Sequence, residues 1–136
     1  MKLAVISDTH DHLENLEKAI VEINTLGVGA LLHCGDLCSP FVIDRLATFN
    51  GPVHVVFGNN EGDRFTINNV SKKFPNVKLH GEVGFVETEN GEVPVFAQKT
   101  ARFSAASGMS ILLATVNDGR SSRSGRWRRS SSRSVA

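Results

Sequence analysis

Only two cysteines, Cys34 and Cys38, occur in the 136 residues, too few for a disulfide framework and suited to the reducing conditions of a cytoplasm. No apolar run approaches the roughly 20 residues that a membrane-spanning helix needs, although 40% of the chain is hydrophobic, enough for a core. The start lacks the basic lead of a secretory signal, because Lys2 is followed by a strand-like run and then by Asp8. A soluble, cytoplasmic protein of one domain is the expectation, with no membrane partner.

Basic residues are scarce in the first part of the chain and acidic ones in the last. Residues 1–98 hold 7 Lys+Arg against 13 Asp+Glu, whereas residues 99–136 hold 8 against 1. The last 38 residues also carry 10 of the 13 serines and 7 of the 9 arginines. Such a stretch buries too little apolar surface to offset its ordering entropy. The expected organisation is therefore a domain over 1–98 and a disordered basic Ser/Arg tail over 99–136. With Trp127 among its arginines the tail could track phosphates and stack bases of a nucleic acid, but a solvated coil without a partner is the simpler reading.

The domain reads as alternating strands and helices. Lys2–Ser7 is a β-branched apolar run ending at a polar cluster, as in a strand covered on both faces. Leu13, Leu16, Ile20, Ile23 and Leu26 recur at steps of three or four, which predicts an amphipathic helix over 12–26, capped by Asp11 and stopped by Gly27. A strand at Ala30–His33, a helix opening at Ser39-Pro40 and a strand at Pro52–Phe57 follow. This order implies parallel strands joined by crossovers. A short helix over Phe65–Phe74, a strand at Val77–His80, and strands at Gly84–Glu89 and Glu92–Phe96 about an Asn90-Gly91 turn complete an α/β plan, a parallel sheet passing into an antiparallel meander.

Ligands of open parallel sheets lie beyond the carboxyl ends of the strands. Just past the three strand ends stand Asp8-Thr9-His10-Asp11-His12, Gly35-Asp36 and Gly58-Asn59-Asn60-Glu61. Asp8 and His10, two apart on a turn, can hold one cation through oxygen and nitrogen. Asp36 has two oxygens and could bridge two cations, and Asn59 can ligate without adding charge repulsion. Mixed oxygen and nitrogen donors suit Mn²⁺, Fe²⁺, Co²⁺, Ni²⁺ or Zn²⁺ better than Ca²⁺.

The DTH of Asp8–His10, the GD of Gly35-Asp36 and the GNN of Gly58–Asn60 resemble the first three metal-binding motifs of the calcineurin-like metallophosphoesterases. The segments MKLAVISDTHDHLENLEKAI, LLHCGDLCSP, VVFGNNEGDR and VKLHGE are most similar to the small single-domain prokaryotic phosphodiesterases of that superfamily, over residues 1 to about 97. The resemblance implies a two-layered β-sandwich flanked by helices, a site for two divalent cations, Mn²⁺ first among them, and hydrolysis of small phosphate mono- or diesters by a dinuclear-metal-activated hydroxide. It also implies roles. Asp8 and His10 would ligate the first metal, Asp36 would bridge, and Asn59 would ligate the second metal and contact the substrate phosphate, which makes Asp36 and Asn59 the catalytic pair.

Two departures from that family stand out. Relatives add ligands from a histidine before glycine and from a Gly-His-x-His turn, whereas residues 81–136 contain no histidine and the fold looks incomplete at its C-terminal end. The reversal of charge and the loss of these motifs coincide near Gln98, as a shift of reading frame would produce. Asn60 replaces a histidine that in some relatives can protonate the leaving group.

Each residue also has a plainer reading. Asp8 and Asp36 could cap helices, His10 could bond backbone in a loop and Asn59 could serve a turn. Their joint occurrence at matching strand ends is what favours ligation. His12 reads as a surface residue and His33 and His54 as structural histidines. His80 is not taken as a ligand, Glu61 and Asp63 read as solvated loop charges, and Cys34 and Cys38 as reduced and partly buried. The rival function is an impaired phosphoesterase-like module that binds a metal, a phosphate or, through the tail, nucleic acid. Open sheet edges would leave room for homo-oligomers.

Overall fold

The computed structural model describes residues 1–89, 91–96 and the backbone of 110–115. Strand β1 (Lys2–Ser7) leads into helix α1 (Leu13–Thr25), followed by β2 (Ala30–His33), α2 (Phe41–Leu46), β3 (Val53–Val55), α3 (Arg64–Ser71) and β4 (Val77–Leu79). Then come β5 (Val83–Thr88), β6 (Gly91–Phe96) and β7 (Ser110–Thr115). The main sheet has the order β4-β3-β2-β1-β7. Its first four strands are parallel, with Leu3 opposite Ala30, Leu31 opposite Val53 and Val53 opposite Val77. The parallel α/β plan expected from the alternating pattern is the one observed.

Both faces of the sheet are covered, which is why its strands lack polar alternation. Ala4, Ile6, Leu31, Val53 and Val55 pack against Leu16, Ile20 and Ile23 of α1, Val42, Ile43 and Leu46 of α2, and Ile67 of α3. The opposite face carries Leu3, Ala30, Leu32 and Val56 and packs against Val86 and Val95 of the β5–β6 hairpin. The hairpin expected about Asn90-Gly91 forms a sheet of its own, with Val83 opposite Phe96, and is a second layer against the main sheet, as in the two-layered sandwich that the resemblance implied. Among the described residues no helix is long and apolar enough to cross a membrane.

Local departures have local causes. Asp11 does not cap α1. His12 stands at the N-cap without a side-chain bond, and the Asp11 carboxylate accepts from the Ser39 amide at 3.0 Å instead. Asp63, read as a solvated charge, caps α3 through the Thr66 amide at 2.9 Å.

The largest difference is β7. The tail was expected to lack structure throughout, yet Ser110–Thr115 pairs antiparallel with β1, Lys2 opposite Thr115 and Ser7 opposite Ser110. The apolar run Ile111-Leu112-Leu113-Ala114 is hidden in an average dominated by serine and arginine. The outer edge of β1 offers that run backbone partners. The boundary at 98, the Asn90 turn position and the basic 116–136 stretch lie outside the described residues.

Candidate metal centre

Asp8, His10 and Asp36 come together at the carboxyl ends of β1 and β2. Each offers one ligating atom, and these atoms lie within 4.8 Å of one another. His10 Nε2 stands 3.7 Å from Asp8 Oδ1 and 3.9 Å from Asp36 Oδ2. Two carboxylates and an imidazole at these separations leave room for one cation between them, with donors that suit a borderline divalent ion.

The backbone at this rim is unusual. Asp8, His10, Asp11, Asp36 and Cys38 all have positive φ, from +41° to +70°, and they are the only non-glycine residues that do so among the described residues. Such conformations cost free energy that the surroundings must offset, and they cluster at functional sites. Here the offset is a set of hydrogen bonds between loops. The Asp8 amide donates to the Gly35 carbonyl and the His10 amide to the Asp36 carbonyl, both at 3.2 Å. Beneath them Thr9 and His33 are fully buried. His33 Nδ1 accepts from the Gly35 amide at 3.2 Å, so its proton lies on Nε2 and is donated to Thr9 Oγ1 at 3.1 Å. Burial pushes the His33 pKa down to about 4 and keeps the ring neutral.

The third loop joins through Asp36. Its Oδ1 accepts the amides of Asn59 and Asn60, both at 3.1 Å, and its Oδ2 accepts from the Asn60 side chain at 3.3 Å. Burial pushes this carboxyl up, but hydrogen bonding with Asp8, Asn60 and Asn59 outweighs it and holds the group below the usual carboxylate range. Asn59, expected as a ligand, thus meets the cluster through its main chain. The loops approach so closely that both contact residues must be glycine. A Cβ on Gly35 would fall 2.6 Å from the Gly58 backbone, and one on Gly58 would collide with Asp36.

Glu61 was misread as a solvated charge. Its Oε1 accepts the amides of Asp36 at 2.7 Å, Gly58 at 2.9 Å and Leu37 at 3.4 Å, tying the second loop to the third. The Gly62 amide adds a bond to the Cys38 carbonyl at 3.0 Å. Cys34 and Cys38 are free thiols, as expected. Burial first, then Asp8, pushes the Cys34 thiol up to about 11. Partial burial first, then the carboxylates of Asp11, Glu61, Asp36 and Asp8, raises the Cys38 thiol as well.

The two histidines set aside as non-ligands bond to each other, His54 Nδ1 to His80 Nε2 at 2.9 Å. That separation is shorter than any ring-over-ring stack, so the nearly parallel rings meet edge to edge through a shared proton.

Comparisons with known proteins agree with this architecture. The family model for the calcineurin-like phosphoesterase superfamily domain matches residues 1–120. A phosphodiesterase of Methanocaldococcus jannaschii is 45% identical over 64 residues, 47% of this chain and 39% of that protein. The solved structure of an archaeal phosphodiesterase superposes with a TM-score of 0.63 at 34% identity, covering 69% of this chain and 57% of the other. A phosphoesterase from E. coli shares the fold, with a TM-score of 0.56 at 14% identity over 90% of this chain and 96% of its own. The chain thus spans between about two fifths and three fifths of the two phosphodiesterases it matches.

Proposed function

This chain belongs to the calcineurin-like phosphoesterase superfamily, and from that membership and the cluster at its strand ends we propose that it hydrolyses small phosphate esters, phosphodiesters above all, with divalent cations bound at Asp8, His10 and Asp36. The observation that carries this reading is the convergence of two carboxylates and an imidazole, from two separate loops, within 4.8 Å. Asp8 and His10 would hold the first cation, and Asp36 together with the Asn59 amide oxygen would serve a second, with Asn59 also available to the substrate phosphate. The chemistry that such cations would supply is activation of a water and neutralisation of charge on the phosphoryl group. Mn²⁺ is the first cation to test, and the free thiols suit a reducing, cytoplasmic setting.

Asn60 cannot titrate, so no side chain at that position protonates the departing oxygen. Aryl esters, whose leaving groups depart as stable anions, are therefore the favoured substrates. One observation favours a second reading, a module that binds a single cation or a phosphate without turnover: no histidine follows residue 80, so the second cation has fewer imidazoles to hold it than the first. Elemental analysis of the Mn²⁺-loaded chain, paired with hydrolysis of an aryl phosphodiester, separates the two. Two equivalents of metal with turnover support the enzyme. One or none without turnover supports the module.

A further inference from the structure

His10 presents Nε2 to Asp8 and Asp36, and its other ring nitrogen, Nδ1, faces the Cys38 sulfur at 3.4 Å. The His10 side chain is 38% exposed and its residue sits at φ +41°, so neither burial nor a regular element fixes the plane of the imidazole. Cys38, by contrast, is anchored. Its carbonyl accepts the Gly62 amide at 3.0 Å, and it lies two residues beyond Asp36, whose amide is held by Glu61.

We infer that Cys38 is a positioning residue for the cation site, its sulfur holding Nδ1 of His10 so that Nε2 is turned, lone pair outward, between Asp8 and Asp36. The inference rests on the cation ligation proposed above. A neutral imidazole carries one proton, and a nitrogen that ligates a cation must be bare. The proton is therefore on Nδ1 in the loaded state and needs an acceptor, which the sulfur supplies. A thiol both donates and accepts, so the same contact persists when the cation leaves and Nε2 regains a proton. Alanine can do neither, whereas serine can do both. Partners of this kind change metal affinity by about 10- to 100-fold, and sulfur, as a weak acceptor, belongs at the lower end.

The test uses the full chain with Mn²⁺ alone as the probe, titrated calorimetrically. Cys38→Ala should raise the Mn²⁺ dissociation constant roughly tenfold, and Cys38→Ser should restore most of the affinity. In a His10→Ala background, Cys38→Ala should add no further loss. With diamagnetic Zn²⁺ bound, nitrogen–proton correlations across the His10 ring should place the proton on Nδ1 in the parent and the serine variant. Parent-like affinity in Cys38→Ala overturns the inference, as does a loss that serine fails to rescue or that persists in the His10→Ala background. Unchanged affinity in His10→Ala alone overturns the ligand assignment and the inference with it. A drop in His10→Ala beside a parent-like Cys38→Ala removes the role of Cys38 and leaves the ligands standing.

Discussion

Replacing Glu61 measures how firmly the second and third loops are clamped. One oxygen, Oε1, takes three backbone amides, two of them at 2.7 and 2.9 Å and the third at a weak 3.4 Å. Charge-assisted bonds contribute about 1.5–3 kcal/mol each, and at a partly exposed site the lower figure applies. Counting the two short bonds, Glu61→Ala should cost about 3 kcal/mol, a large share of the roughly 5–15 kcal/mol that keeps a domain folded. Glu61→Gln keeps an acceptor but loses the charge that roughly doubles its strength. It also sets an amide where the buried Oε2 has no partner. The glutamine variant should therefore recover no more than about half of the loss. Urea unfolding followed by circular dichroism reads the difference as a shift of midpoint at constant slope. A Glu61→Ala midpoint equal to the parent's would show that the residue is the solvated charge its sequence position suggested.

Three further outcomes follow from the same network. His33 binds fewer protons folded than unfolded, because burial holds its pKa at about 4 against an ordinary 6.5. Stability present above pH 6.5 should fall by about 3 kcal/mol as the pH drops toward 4, and unfolding free energies that decline as steeply in His33→Gln would assign the fall elsewhere. Asp63→Ala removes the cap of α3 and should lower the melting temperature, with a null result in thermal melts counting against the Thr66 bonds. Asp36→Ala should lower bound metal more than Asn59→Ala does, since only a carboxylate can bridge; Asp36→Asn, which can still accept the Asn59 and Asn60 amides, should match the alanine variant in metal content while unfolding at a higher temperature.

The parts of the fold legible in the sequence are those whose local pattern and tertiary role coincide. The stripe Leu16, Ile20, Ile23 lies on the buried face of α1, and Lys2–Ser7 is covered on both sides as its lack of alternation implied. Legibility fails where a segment's partner is remote. Nothing within Ser110–Thr115 announces β1 as its neighbour, and its basic surroundings mask the run. The hairpin's residues alternate as strands should, with Gly84 and Val86 buried and Val83 and Phe85 exposed, but alternation does not reveal which sheet receives the buried side.

At the rim the division is between the side chains that converge as a possible metal-ligand group and the residues that hold the backbone in place. The convergence of Asp8, His10 and Asp36 could be read from strand ends, because a parallel sheet delivers those ends to one rim. The supports could not. A buried neutral histidine looks the same in sequence whether it fills a core or, like His33, bonds the Gly35 amide and the Thr9 hydroxyl beneath two strained loops. Glutamate in a loop is usually solvated, and only the close approach of Gly35 to Gly58 brings three amides within reach of Glu61. The five positive-φ residues complete the argument, since their conformations persist only while these bonds hold. Loosening any one bond should therefore move Asp8, His10 and Asp36 apart before it unfolds the sheet, and cation affinity should respond to changes at Glu61 and His33 that touch no ligand.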